Sequence, residues 1–517
     1  MDDKTIFQNP GASSSLPSQE PPVPPAGQNL FGYQPTQSAQ ASVPNPSTLP
    51  EPILAQENPF TPPPQPENVY KPTAPESAGP PPPPKSSFLS LRNIVKVAVG
   101  LLALFLISLL VFKVIPGFFN RGNGEATLSY WGLWEDAPIM QTIISDFERE
   151  NPGIKIEYSK QDIKQYREKL ATRIPDGTGP DVFRFHNTWL PMFKEDLLPM
   201  SSDVITKEEF SGNFYPVAQE DLVENGAIYG IPLQIDTLSM YINTDLFQAA
   251  GITIPTNWQD FITASRQLTV KEESGRILTA GAALGAYDNI THAPDIVSLL
   301  LVQNGANLGD LNSTLKQTSD ALAFYTSFAT GNGNVWDATL DPSILAFTKG
   351  NLGIYFGYSW DYFIIKAANP NLNFSIVAVP HLPGQNQTIA SYWVEGVSSK
   401  SKHQKEALLF MKYLSQKETA QKLYTAQTKT RLFGELYARV DLAQSLESDP
   451  IVSPFVSQAR DAVSSFFVSD TYDSALNTQM NTYLGNAVRS ILDGTSSMTA
   501  AETLANGAAQ VLTQYGK

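Results

Sequence analysis

The 517-residue chain contains 40 prolines, no cysteine and a formal net charge of −15. The lack of cysteine excludes disulfides, thiolate metal sites and cysteine nucleophiles, and the acidic balance argues against binding to nucleic acid or to an anionic membrane surface. The acidity belongs to the part of the chain after residue 122, which carries 28 basic and 43 acidic groups. That part has roughly 395 residues, which is more than one core needs and suits two lobes.

The first 86 residues hold 23 of the 40 prolines and end in the run Pro80–Pro84. Few apolar side chains are present to offset the entropy of ordering, so we predict a disordered, Pro-rich tail with polyproline character. A solvated tail is the simpler interpretation. A ligand for aromatic-grooved cytoplasmic modules is the alternative.

Residues 94–115 form an apolar stretch with only Lys96 and Lys113 near its ends. At about 1.5 Å per residue it spans roughly 33 Å, enough for one transmembrane helix. A cleaved signal peptide is the alternative, but the stretch starts far from the N-terminus and lacks a small-x-small cleavage site. The slight excess of basic residues before it predicts a single-pass protein of the cell membrane with a cytoplasmic N-terminus. The large part would then lie outside, in an extracellular or periplasmic space, after a short flexible tether at 116–124.

After the tether, strand and helix signals alternate. The pattern predicts strands at 126–131, 154–158 and 181–185, because β-favouring residues cluster there between turn signals. A helix between the first two is predicted from apolar residues at helical spacing: Ile139, Met140, Ile143, Ile144 and Phe147. Such alternation is typical of an α/β fold with a largely parallel sheet.

The stretch Tyr229–Phe247 predicts a crossing between two bodies. Two short strands, 228–232 and 238–243, flank a polar gap that contains Gln234 and Asp236. A helix capped by Thr244 and Asp245 follows. Later in the second body, a strand at 352–356 delivers the run Gly357–Asp361.

This crossing, with Tyr229-Gly230-Ile231-Pro232 followed by Asn243, Asp245, Phe247, Ala250 and Gly251, resembles that of the family 1 extracellular solute-binding proteins. These are the maltose-binding-like receptors of ABC importers. A "P-x-x-W-x-x-F" run at Pro255, Trp258 and Phe261 adds to the resemblance. The resemblance implies an α/β, two-lobed periplasmic-binding-protein-like fold of type II. It places lobe 1 at 125–235 with 384–430 and lobe 2 at 236–383 with 431–517.

Sugars present C–H faces that stack on aromatic rings and hydroxyls that need planar acceptors or donors. In open α/β sheets ligands lie beyond the carboxyl ends of strands. Aromatic residues near predicted strand ends are therefore candidates for stacking: Trp131, Trp134, Trp189, Trp360 and Trp393. The candidate polar partners are Asp181, Gln234, Asp236, Asp361, Glu395 and Arg431. The resemblance implies that Trp360 stacks on a sugar, that the region from Trp393 to Gly396 lines the cleft and that Asp181 matches the family's "GPD". It also places Arg431 where the family usually has "P-x-R", without the proline.

The sequence contains no HExxH, P-loop or Gly-x-Ser-x-Gly motif, and its four histidines lie far apart, so we expect no enzyme, metal or cofactor. The resemblance implies an oligosaccharide as the small-molecule ligand and the membrane subunits of an ABC permease as partners. A polyamine or glycerol phosphate remains an alternative ligand. From other classes, a glycoside hydrolase or a sensor ectodomain would also fit two lobes, although residues 1–86 offer no signalling module.

Overall fold

The computed structural model describes residues 126–517. The predicted tail, the predicted membrane span at 94–115 and the tether lie outside these residues. Within the described range, no helix is long and apolar enough to cross a membrane.

The secondary structure alternates as the sequence predicts. The strands are β1 (Ala126–Gly132), β2 (Ile154–Lys160), β3 (Val182–His186), β4 (Val223–Glu224), β5 (Ala227–Ile228), β6 (Ile231–Pro232), β7 (Asp236–Thr237), β8 (Ser239–Asn243), β9 (Val270–Lys271), β10 (Ile277–Ala282), β11 (Leu352–Gly357), β12 (Phe374–Val377), β13 (Thr388–Ser391), β14 (Trp393–Val397) and β15 (Ala462–Val463).

The helices begin with the amphipathic α1, which buries Met140, Ile143, Ile144 and Phe147. They are α1 (Ala137–Glu150), α2 (Tyr166–Arg173), α3 (Leu190–Phe193), α4 (Lys207–Asn213), α5 (Pro216–Leu222), α6 (Thr244–Ala250), α7 (Trp258–Leu268), α8 (Ala293–Gln303), α9 (Leu315–Thr326), α10 (Ser343–Thr348), α11 (Ser359–Ala368), α12 (Gln404–Leu414), α13 (Lys417–Gln427), α14 (Ser453–Ser457), α15 (Leu476–Leu492) and α16 (Ser497–Gln514).

The first lobe is built on a five-stranded sheet in the order β2-β1-β3-β14-β6. Strands β1, β2 and β3 are parallel, as predicted. Strand β14 pairs antiparallel with β3, with Trp393 opposite His186 and Val397 opposite Val182. The prediction of a largely parallel sheet therefore fails at β14, because this strand returns from the other lobe and enters from the opposite direction.

The second lobe is built on the sheet β12-β8-β11-β10-β9. Strand β8 pairs antiparallel with both β11 and β12, whereas β10 and β11 are parallel. This lobe has a hydrophobic core of its own, in which Trp258 is fully buried and donates its indole N–H to Gln303 over 2.7 Å. The "P-x-x-W-x-x-F" tryptophan thus belongs to the core.

A three-stranded sheet, β15-β13-β7, lies where the chain passes between the two cores. Strand β13 pairs antiparallel with β7, which places Ser391 opposite Asp236, and parallel with β15. The lobe ranges that the resemblance implies last change between residues 430 and 431, and β15 lies further along the chain. The residue ranges of the two lobes remain a prediction.

Candidate functional site

The carboxyl ends of β1 and β3 carry a cluster of aromatic side chains, the first-lobe aromatic cluster, made of Trp134, His186, Trp189 and Trp393. The ring of Trp393 meets that of Trp134 edge-on at 5.6 Å between centroids, that of His186 at 5.1 Å and that of Trp189 at 5.3 Å. Trp134 is 39% exposed, whereas Trp189 is fully buried. Of these rings, Trp134 therefore has exposed surface that a ligand can contact. Trp189 packs against Trp393 from within the fold.

Trp131 lies in β1, partly buried, with the guanidinium of Arg173 over its ring at 5.7 Å. Its ring is therefore already covered on one face by a cation. The indole nitrogen of Trp189 is buried without a hydrogen-bond partner among the described residues. A buried donor without a partner is costly, so this position is suited to a bound water or ligand oxygen.

Trp360 lies at the second residue of α11, directly after β11. Its ring stacks on Tyr358 with 4.5 Å between centroids and an interplanar angle of 16°, and it remains partly exposed. We call Tyr358 and Trp360 the second-lobe shelf.

Gly357 ends β11 at a point where a Cβ would collide with the Asp361 carboxylate and the Tyr355 ring, so only glycine fits the turn into α11.

Asp236 connects the two clusters. Its carboxylate accepts hydrogen bonds from the backbone N–H and the hydroxyl of Ser359, the residue before Trp360, and from the N–H of Thr237. Opposite Asp236, Ser391 shares a 3.1 Å hydrogen bond with Nε2 of His186, in the first-lobe cluster. A continuous chain of contacts therefore runs from Trp393 through the crossing sheet to Trp360.

Burial raises the pKa of Asp236 well above its ordinary value, even though the hydrogen bonds from Ser359 oppose the shift. With three donors already on its oxygens, this carboxyl holds the first turn of α11. The helix that Asp236 caps begins 123 residues later in the chain, so the sequence around Asp236 gives no sign of this role.

Asp361 and Glu395 are both fully buried, and each contacts a basic side chain. Asp361 accepts from the N–H of Tyr358 and the hydroxyl of Tyr355, and its Oδ2 lies 2.8 Å from Nε2 of His292. Oε1 of Glu395 lies 2.6 Å from the guanidinium of Arg184, which also contacts Glu135 at 2.5 Å. Asp361 thus links the first turn of α11 to His292, and Glu395 links β14 to β3 through Arg184.

Gln234 is buried in a bridge to Tyr437, and its Oε1 has no partner among the described residues. Arg431 contacts Glu435 at 2.8 Å and lies 5.5 Å over the ring of Phe363 in α11. Gln234 thus carries a buried acceptor beside the crossing, and Arg431 lies against the helix of the shelf.

Asp181 lies away from the other candidates. It precedes β3, at the strand's amino end, where its carboxylate accepts from Ser129 at 2.8 Å and from Ser401 at 2.6 Å. It lines a pocket of about 220 Å³ with Lys400 and Lys402. The aromatic cluster lies at the carboxyl end of the same strand, so the structure does not bring Asp181 to it.

A second pocket, of about 240 Å³, lies between first-lobe residues and Leu308 and Gly309 of the second lobe. Asp221 in its wall accepts from Asn187 at 3.0 Å, Tyr392 at 2.5 Å and Ser464 at 2.5 Å, all on one oxygen. Burial raises the pKa of Asp221 to about 6. The sequence predictions missed this pocket, because its lining comes from segments far apart in the chain.

The chain matches the family described as "Bacterial extracellular solute-binding protein" over residues 131–421, and it belongs to that family. It is 25% identical over 315 residues to the Multiple sugar-binding protein of Streptococcus mutans serotype c (strain ATCC 700610 / UA159), covering 58% of this chain and 73% of the relative. It is also 25% identical over 166 residues to the Arabinooligosaccharide-binding protein of Halalkalibacterium halodurans (strain ATCC BAA-125 / DSM 18197 / FERM 7344 / JCM 9153 / C-125), covering 30% and 36%.

Among solved structures, a cyclo/maltodextrin-binding protein complexed with maltotetraose superposes with a TM-score of 0.62 at 17% identity, covering 76% of this chain and 98% of that one. The sugar-binding protein MalE from the phytopathogen Xanthomonas citri gives 0.61 at 20% identity, covering 75% and 98%. These similarities establish the two-lobed fold that the sequence predicts.

Proposed function

We propose that this protein is the receptor of an ABC importer and captures an oligosaccharide between its two lobes. The observation that carries the proposal is the chain of contacts from Trp134 and Trp393 through Asp236 to Trp360. It brings two partly exposed aromatic surfaces to the crossing between the lobes, and such surfaces suit the C–H faces of sugar rings.

The polar groups at the crossing favour a neutral ligand over a polyamine. A polyamine needs carboxylates with free oxygens, but those of Asp236 and Asp361 are buried and already accept hydrogen bonds. Phosphate needs clustered basic residues, and Arg431 is already paired with Glu435. The relatives named for multiple sugars and arabinooligosaccharide support the same choice.

We further propose that residues 94–115 anchor the protein in the cell membrane with its N-terminus in the cytoplasm, so that the lobes deliver the sugar to permease subunits outside. The binding itself requires no chemical conversion. Thermal-shift screening of the full chain against oligosaccharides and polyamines tests the proposal, because a ligand that binds the native state must raise its melting temperature. Stabilisation by a sugar supports it, and stabilisation by polyamines alone would contradict it.

A further inference from the structure

The segment Ser469–Ser474 lies between β15 and α15 and carries unusual backbone conformations. Asp470, Tyr472 and Ser474 have φ angles of +59°, +52° and +48°. Left-handed φ is uncommon for a residue other than glycine, and it is an outlier for a bulky side chain such as tyrosine. Three such residues at alternate positions need a surrounding structure that fixes them.

Asp470, Tyr472 and Ser474 are also the exposed residues of this segment. Thr471 and Asp473 between them are buried, whereas Tyr472 is 51% exposed. The segment therefore shows a carboxylate, an aromatic ring and a hydroxyl to solvent in succession, and we call Asp470, Tyr472 and Ser474 the exposed strip. An aromatic ring flanked by short acceptors is the combination that a polyhydroxylated ligand needs.

The carboxyl end of the segment is fixed by α15. Asp473 is fully buried and accepts from the N–H groups of Asn477 at 2.7 Å and Thr478 at 3.1 Å. Upstream, the carbonyl of Val468 accepts from Asn481 of the same helix at 2.7 Å. The helix thus holds the buried side of the segment.

The amino end of the segment is fixed by His292, which is fully buried at the start of α8. Nδ1 of His292 lies 2.8 Å from the hydroxyl of Ser469 and 3.6 Å from the carboxylate of Asp470, and Nε2 lies 2.8 Å from Asp361 of α11. The neighbouring Asp295 accepts from the N–H of Ser469 at 3.0 Å. One imidazole ring therefore joins the segment to the helix that carries Trp360.

The second-lobe shelf belongs to the same network. Tyr358, on which Trp360 stacks, donates its hydroxyl to Asp295 over 2.7 Å, and the ring of Trp360 lies 6.3 Å edge-on from that of His292. The exposed strip therefore lies beside the shelf, at the carboxyl end of β11.

We propose that the exposed strip is part of the ligand-binding surface, with Tyr472 in contact with the ligand, and that His292 is the positioning residue that holds the strip against the shelf. This inference rests on the proposed function and extends it. Preorganised aromatic surfaces bind more tightly, because the entropy of ordering them has been lost before the ligand arrives. The strain in the segment is maintained by the buried hydrogen bonds at both of its ends.

The carboxylates and hydroxyls that surround His292 determine whether its imidazole is protonated. Burial alone would lower the pKa of this imidazole, but the carboxylates of Asp361, Asp470 and Asp295 outweigh burial and raise it to about 9. Tyr355 and Tyr358, whose hydroxyls donate to Asp361 and Asp295, complete the surroundings. At neutral pH both ring N–H groups are thus donors, one toward Ser469 and one toward Asp361.

The test uses the full chain with three single variants and maltotetraose as the probe. Ser469→Ala removes the hydroxyl that contacts His292 and leaves the His292–Asp361 pair. Tyr472→Ala removes the exposed ring alone. Ser445→Ala is the matched control, because its hydroxyl donates to a carbonyl of its own turn, that of Leu442, over 2.6 Å. Amide hydrogen exchange of residues 470–474 and the dissociation constant are measured for each.

We expect Ser469→Ala to speed exchange in residues 470–474 about tenfold without changing exchange in β11, and to weaken binding by a similar factor. Tyr472→Ala should weaken binding about tenfold or more with β11 exchange unchanged, and Ser445→Ala should change neither quantity. Wild-type exchange in Ser469→Ala would overturn the role of His292, and wild-type affinity in Tyr472→Ala would overturn the contact role of the strip.

The exchange comparison needs no ligand. If the wild-type protein bound no sugar at all, the proposed function and the contact role of Tyr472 would both fail. The exchange rates of Ser469→Ala would still decide whether His292 holds the strip.

Discussion

At the scale of single residues, the structure separates side chains that can meet a ligand from those that position them. Trp134 and Trp360 keep exposed or partly exposed rings, whereas Asp236 and Asp361 use their carboxylates on protein donors. The sequence predicts all four as ligand contacts from their place near strand ends or crossings, and the resemblance adds a stacking role for Trp360. Sequence cannot separate the two groups, because Ser359, which donates to Asp236, and His292, which contacts Asp361, lie in other segments.

Trp360 is expected to carry ligand affinity with little effect on the ligand-free fold, because its ring packs on Tyr358 and remains partly exposed. Trp360→Ala should cost about 2–3 kcal/mol of binding, or roughly 30- to 150-fold in dissociation constant. Trp258→Phe is the matched control, since this tryptophan is buried in the core. Trp258→Phe should lower the melting temperature and leave the affinity of the folded protein unchanged. A Trp360→Ala variant with a lowered melting temperature and wild-type affinity would contradict the role of Trp360 as a ligand contact.

Asp236→Asn is expected to weaken sugar binding by about 1–2 kcal/mol. Oδ2 of Asp236 accepts both hydrogen bonds from Ser359 and Oδ1 accepts from the N–H of Thr237, so an amide with one oxygen cannot keep all three and loosens the first turn of α11. Affinity should be nearly independent of salt for a neutral sugar. Calorimetric titration at low and high salt measures both effects. A steep salt dependence would instead indicate a cationic ligand.

At the scale of secondary-structure elements, local patterns predicted the strands and helices well. The periodic apolar residues from Ile139 to Phe147 are confirmed as the buried face of α1, and the run predicted at 126–131 is β1. The stretch 228–232 is instead two short strands, β5 and β6, because Tyr229 and Gly230 leave the ladder between them. Antiparallel β14 was not predictable, since its partners, β3 and β6, lie more than 150 residues earlier.

The network around His292 predicts a pH dependence of stability. The folded pKa of about 9 lies above the 6.5 of an unperturbed histidine, so the folded state binds this proton more tightly. The stabilisation is fully present below pH 6.5 and is lost as the pH rises through about 9. The shift corresponds to roughly 3 kcal/mol by linkage.

The melting temperature of the wild-type protein is therefore expected to fall between pH 7 and pH 9.5. His292→Gln should be less stable at pH 7, because it leaves Asp361 without its charged partner. It should also lose most of this pH dependence. Equal slopes for the two proteins in scanning calorimetry over this range would show that His292 does not carry the effect.

At the scale of the whole molecule, two lobes joined by the sheet β15-β13-β7 suit a hinge motion. A saturating sugar should bring the lobes together, and small-angle scattering of the full chain should show a smaller radius of gyration. Maltotetraose-free buffer and the Trp360→Ala variant at the same sugar concentration serve as controls. An unchanged radius at saturation would count against closure.

The membrane anchor is tested separately, on intact cells. If residues 94–115 span the membrane with the N-terminus in the cytoplasm, protease added outside should spare an N-terminal tag and digest the lobes. Mature protein that begins near residue 117 would contradict a retained anchor and favour a cleaved signal.

We propose that a sugar binds between the two aromatic surfaces that are linked through Asp236. The most direct test of this proposal is calorimetric titration of the wild-type chain, Trp134→Ala, Trp360→Ala and the double variant with the sugar that gives the largest thermal shift. Each single variant is expected to weaken binding at least tenfold and the double variant to abolish measurable binding, with ligand-free melting temperatures near that of the wild type. Wild-type affinity in both single variants would contradict it.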